Sequence, residues 1–205
     1  MLNTRFGVEI EFTGITRKEA AQKAKKVLGG EVRYIGTYYD AWSVDAPDGR
    51  TWKFMSDASI MTQKKKDGTI SNATKYYSVE LVTPILTYTE DIETLQNVIR
   101  ELRKAGGFVN NSCGIHIHLD GEDHSVQSIK NFISIIYARN DLFYLALKIN
   151  SSRRRFCMEL DENLDWLEWL ERPERLVRLD CLDRNFIQCK GEECPQNHIK
   201  DTVIV

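Results

Sequence analysis

The sequence predicts an α+β fold: an antiparallel sheet with helices packed on one face. Three observations carry that prediction. Several segments alternate apolar and polar residues with a period of two, which gives each strand one buried and one wet face, as antiparallel sheets require. Other segments show helical apolar spacing bounded by start and stop signals. Short turn-rich stretches join them, with no internal repeat and no break in composition. The 205 residues therefore read as a single domain, 1–205. A chain of that length can bury roughly 70% of its unfolded surface and needs no staple to fold.

Each element has its own signal. In residues 5–12, Phe6, Val8, Ile10 and Phe12 share one face and Gly7, Glu9 and Glu11 the other, which is a half-buried strand. Thr16 and Glu19 form a capping box. Ala20, Ala21, Ala24, Val27 and Leu28 follow at helical spacing, and Gly29–Gly30 ends the helix. Residues 31–59 read as strands, the clearest being a hairpin with Pro47–Asp48–Gly49 at its tip. Residues 62–74 are polar, with an Asp67–Gly68 turn, and read as an exposed loop or ribbon tip. Residues 75–86 read as a strand ended by Pro84. Thr89 is expected to cap a helix that buries Ile92, Leu95, Val98, Ile99 and Leu102 and ends at Gly106–Gly107. Residues 113–119 alternate again. Residues 125–149 form the longest helical pattern, whose stripe of Ile129, Phe132, Ile133, Ile136, Phe143 and Leu147 is expected to be core. The tail reads as helical and turn-rich to about residue 190, then as a loop leading into a short apolar strand.

The charges nearly cancel: 28 Lys+Arg against 30 Asp+Glu, a net −2, with 42% hydrophobic and 28% charged residues. That balance argues against a nucleic-acid binder working through bulk positive field, and the composition is that of a globular chain. No apolar run approaches the ~18–20 residues of a membrane span. The first twelve residues place carboxylates where a secretion signal needs an apolar stretch. Five cysteines without framework spacing fit reduced thiols and a cytoplasmic location.

Chemistry concentrates on a few strand positions. Glu9 and Glu11 stand at i and i+2, so both carboxylates share one side, about 6.6 Å apart along the chain. His116 and His118 repeat that geometry, and two of the four histidines thus sit in one strand. Glu80 projects opposite Val79 and Leu81, and Asp57 ends a strand. Each alone has an ordinary reading: exposed strand carboxylates, satisfied histidines, a turn aspartate. Together they make a face that must be wet, paired or cation-bound, because unpaired buried carboxylates are costly. Such a donor set suits hard divalent cations, Mg²⁺ or Mn²⁺, with imidazole as a further ligand or phosphate donor.

The series FGVEIEF, WKFMSDASI, YYSVELVTPIL and CGIHIHLD resembles the motifs of the amidoligase family, which shares the glutamine synthetase / glutamate–cysteine ligase catalytic fold. The resemblance covers most of residues 5–160. It implies an ATP- and Mg²⁺-dependent carboxylate–amine ligase that forms an amide through an acyl phosphate. Small-molecule or peptide carboxylates and amines would be the substrates. By position, the resemblance implies catalytic roles for Glu9, Glu11, Asp57, Glu80 and His116. Glu9, Glu11, Glu80 and His116 would be metal ligands, with Asp57 at the rim. His118 would meet a phosphate or metal, and Arg153, Arg154 and Arg155 would meet phosphoryl charge; a solvated basic turn is the plainer reading of the three arginines. The family continues with a T-x-E-F-R strand, and HIKDTVIV lacks its Glu and Arg; the expectation is either a truncated, divergent or inactive member, or a protein partner or oligomer that completes the site. Three alternatives stand beside the ligase. The domain could be an inactive ligase-fold module binding metal or nucleotide, or a metal-dependent hydrolase using an activated water. Cys181, Cys189, Cys194 and His198 could hold zinc, though their spacing does not match a paired C-x₂-C framework. Cys113, beside the histidine strand, reads as a small packed thiol rather than a nucleophile.

Overall fold

The computed structural model describes residues 3–120, 124–149 and 202–204. They fall into two compact units divided after Leu119. The first is mixed α/β with an antiparallel sheet. Its elements are β1 (Arg5–Phe12), α1 (Arg17–Leu28), β2 (Glu31–Tyr34), β3 (Trp42–Asp45), β4 (Thr51–Met55), β5 (Gln63–Lys66), β6 (Thr69–Asn72), β7 (Val79–Val82), β8 (Leu86–Thr87), α2 (Tyr88–Lys104) and β9 (Ile115–Asp120). The main sheet runs β9-β1-β7-β4-β3-β2, with β8 also pairing β1.

The alternation in β1 decides which face is covered. Val8 and Phe12 are buried, with Phe6 and Ile10 packed against them. Val79 and Leu81 of β7, Trp52 and Phe54 of β4 and Val44 of β3 extend that apolar surface. Helix α1 packs on β3, β4 and α2, and α2 packs on β8. Ala20, Ala21 and Ala24 are fully buried and bring α1 close to the sheet, while α2 contributes Leu95, Val98 and Leu102. Burying a side chain such as Phe54 or Leu81 contributes about 1.5–3 kcal/mol. The capping box forms as expected, with the Thr16 hydroxyl accepting from Glu19 N–H and the Glu19 carboxylate accepting from Thr16 N–H.

Three boundaries differ from the sequence reading. Helix α2 starts at Tyr88, so the cap is Thr87 and not Thr89. Thr87 caps without its own hydroxyl, because the Asp91 carboxylate accepts its N–H at 2.8 Å and is itself held by Arg50 at 2.7 Å. The strand expected over 75–86 begins as a 3₁₀ turn at Lys75–Tyr77 and is interrupted between Val82 and Leu86. Pro84 has no N–H to give the ladder. Thr83 bridges the gap: its hydroxyl accepts Val8 N–H at 2.9 Å and its own N–H donates to Val8 O at 3.0 Å. The polar stretch 62–74 is a separate two-stranded ribbon, β5–β6, turning at Asp67 and Gly68 with φ of 51° and 82°. Its base is tied to the end of β1: Gln63 O accepts both the Thr13 hydroxyl and Gly14 N–H. Gly14 sits at φ 98°, where a Cβ would lie 2.3 Å from Gly106 O.

The second unit contains α3 (Val126–Tyr137), α4 (Asn140–Ala146) and β10 (Thr202–Ile204). The helix expected over 125–149 is two helices, because Arg139 leaves helical geometry at φ −130° and ψ 16°. The break takes the later residues off the apolar stripe. Ile133 is buried, whereas Phe132, Phe143 and Leu147 are exposed, which corrects the expectation that all six stripe residues form core. The described residues thus hold four α-helices, none long and apolar enough to cross a membrane. Arg153, Arg154, Arg155, Cys181, Cys189, Cys194 and His198 lie outside the described residues.

Candidate metal centre

The register of four neighbouring strands assembles the site. Glu9 of β1 stands opposite His116 of β9 and Val82 of β7, and Val82 stands opposite Lys53 of β4. Glu11 stands opposite Glu80, which stands opposite Met55. Residues directly opposite on paired strands share a face. His116, Glu9, Glu11, Glu80 and Lys53 therefore all lie on the face that α1 and α2 do not cover. His118, opposite Gly7, lies on the same face.

Two groups of potential ligands converge there. One carboxylate oxygen each of Glu9 and Glu80 and a ring nitrogen of His116 lie within 4.8 Å of one another, and so do oxygens of Glu11, Asp57 and Glu80. Glu80 belongs to both. Asp57 lies two residues past the end of β4 and reaches the cluster because its backbone is pinned: its N–H donates to Ser78 Oγ at 2.9 Å, and that hydroxyl donates to Asp57 O at 2.6 Å. Ser78 is two residues before Glu80, so one short segment carries both acids. The Glu11 carboxylate accepts Gly114 N–H at 2.7 Å.

The electrostatics differ across the cluster. Glu11 and Glu80 are 4% and 6% exposed. His116 Nδ1 donates to Glu9 at 2.9 Å. That hydrogen bond, with His118 beside it, holds the Glu9 carboxyl far below the usual carboxylate range despite burial. The same bond, reinforced by the charges of Glu11 and Glu80, raises His116 above its ordinary value against the cost of burial. His118 Nε2 lies 3.4 Å from the second Glu9 oxygen, yet it is buried and makes no hydrogen bond. Close carboxylates with an imidazole are a donor set that fits hard divalent cations, and a second ring nitrogen without a hydrogen bond lies beside them.

The structure thus brings together Glu9, Glu11, Asp57, Glu80 and His116, and sets His118 beside them. Glu80 is buried between strands, unlike the solvent-facing residue its segment alone suggests. Cys113 is half-buried, its thiol 3.6 Å from the Asn110 side-chain oxygen. Sequence reasoning missed two residues. Lys53 alternates onto the site face, and its ammonium has no partner among the described residues; strand parity in TWKFM could have revealed it. Arg17 opens α1, and a buried cation at a helix start, against the helix dipole, was the available signal.

A family model described as "putative amidoligase enzyme" matches residues 2–203. The chain belongs to this family. Membership in the amidoligases points to ligase chemistry, and the match spans every residue of the cluster above. No curated protein and no solved structure matches the chain.

Proposed function

We propose that this amidoligase is an ATP- and magnesium-dependent carboxylate–amine ligase built on a glutamine synthetase-like catalytic fold. The observation that carries the reading is the pair of ligand triads sharing Glu80 on one sheet face. Two cations about 3.5–4 Å apart are the usual arrangement for clamping transferring phosphates. Glu9, Glu80 and His116 would hold one Mg²⁺ or Mn²⁺, and Glu11, Asp57 and Glu80 the other. Bound cations supply neutralisation of phosphate charge and alignment for in-line transfer. His118 offers its free ring nitrogen to a phosphate oxygen. Arg153, Arg154 or Arg155 would meet phosphoryl charge. The substrate carboxylate oxygen attacks the γ-phosphorus and ADP leaves. The amine nitrogen would then attack the acyl carbon and lose a proton to solvent, phosphate would leave, and an amide would remain.

The test is phosphate release from ATP and Mg²⁺ over a panel of amino acids and short peptides, with Glu9→Ala as the blank. The ligase reading expects release only when ATP, Mg²⁺, an acid and an amine are all present. Turnover without ATP would replace it with a hydrolase, and nucleotide binding without turnover would leave an inert module.

A further inference from the structure

Arg17 is the most completely bonded buried cation among the described residues, yet it touches neither triad. It is 2% exposed at the first position of α1. A guanidinium is tolerated in such a place only if its donors are used. Its Nε donates to Asp40 O at 2.9 Å, and its Nη1 donates to Lys75 O at 2.9 Å and Ser78 O at 2.7 Å. Its Nη2 donates to the Asp40 carboxylate, and the group lies 5.8 Å from the Tyr76 ring centroid. Two of these ties lead to Asp57. Ser78 brackets the Asp57 backbone through its hydroxyl, and Tyr39 O, next to Asp40, accepts Ser56 N–H at 3.0 Å. Arg17 therefore anchors both chain segments that flank Asp57, one of which runs directly into Glu80.

We infer that Arg17 is the positioning residue for the Glu11–Asp57–Glu80 triad, setting where the Asp57 carboxylate stands relative to Glu80. The inference rests on the reading of both triads as cation sites. Nothing comparable is needed for Glu9 and His116, whose positions follow from the β1–β9 register. A general stabiliser would weaken both triads alike, whereas this residue acts on one.

The test is Mn²⁺ binding to the full chain, by electron paramagnetic resonance and calorimetry, for wild type, Arg17→Met, Arg17→Lys and Ser78→Ala, with thermal melting as the folding control. Ser78→Ala removes the hydroxyl tie without touching Arg17, so it keeps the test open if Arg17→Met does not fold. The expected result is two Mn²⁺ in wild type. In Arg17→Met and Ser78→Ala one site should be unchanged and the other weakened about 10–100-fold, the range seen when an outer partner of a metal ligand is removed. Arg17→Lys, which keeps the charge but not the fork of donors, should restore part of the loss. Folded variants that keep both sites, or lose both in parallel, overturn the role of Arg17 alone. A wild type that binds no Mn²⁺ overturns the cation reading and this inference with it.

Discussion

The two triads share Glu80 and differ in what holds the rest. Glu9 and His116 face each other across a single ladder, so strand pairing alone sets their separation, and a hydrogen bond joins them. Glu11 and Asp57 come from β1 and from a loop past β4; the loop is held by Ser78 and Tyr39, on segments that Arg17 ties. The first triad contains an imidazole and is partly self-neutralised; the second is all carboxylate. The contrast separates two ways of building a cation site. Register is tolerant, because every rung of the ladder supports it. A loop-borne ligand depends on a few named bonds and fails when one of them goes.

Replacing the shared residue should have the largest effect. Glu80→Gln keeps the volume and removes the charge, so both Mn²⁺ sites and ATP turnover should fall together. The loss should exceed the roughly 10–100-fold that an outer partner costs. Calorimetry that showed only one site affected would separate the triads and remove Glu80 as their link.

Protonation should tell the triads apart next. A cation at the first triad must displace the proton of His116, whose pKa is raised chiefly by its hydrogen bond to Glu9. Mn²⁺ affinity there should fall as pH drops from about 8 to 5, while the other triad has no imidazole to protonate. Metal-free stability carries the opposite signature. Glu9 is depressed, so its contribution is present above the ordinary value of 4.5 and lost as pH falls. His116 is raised, so its contribution is present below 6.5 and lost as pH rises through the raised value. Both describe one pair, and with chelator present the melting temperature should peak between those limits. His116→Asn should flatten the curve; an unchanged profile would contradict the pairing.

Much of the centre was legible from residue order, and some of it was not. Strand parity exposed Glu9 with Glu11 and His116 with His118, because a period of two survives any packing. The pairing of β1 with β7 and β9 is a long-range choice that local pattern does not encode, so the split of the acids into two triads could not be read. Asp57 shows why: its segment looks like a turn, and bonds from distant residues, Ser78 above all, make it a member of the cluster. The interruption at Thr83–Ile85 was half-visible in Pro84, but the hydroxyl that bridges it was not. The break at Arg139 has no Gly or Pro to announce it.

Smaller effects sharpen the contrast further. Lys53 lies across Val82 from Glu9, exposed and with no partner for its ammonium among the described residues. Lys53→Gln should weaken nucleotide binding about 2–5-fold and leave Mn²⁺ affinity equal or slightly higher, as an exposed charge allows. Equilibrium binding of both ligands checks the two signs. Thr16→Ala breaks the capping box one residue before Arg17 and should cost about 1 kcal/mol in chemical denaturation. Any accompanying change in Mn²⁺ binding should fall on the loop-held triad.

The central claim is that one sheet face holds two cations through Glu80, each with its own remaining ligands. Counting Mn²⁺ per chain in wild type, Glu9→Ala, Asp57→Ala and Glu80→Ala tests it most directly. The account predicts two in wild type, one in Glu9→Ala, one in Asp57→Ala with a different resonance signature, and a severe loss of both in Glu80→Ala. Folded proteins in which Glu9→Ala and Asp57→Ala keep the wild-type count would contradict it.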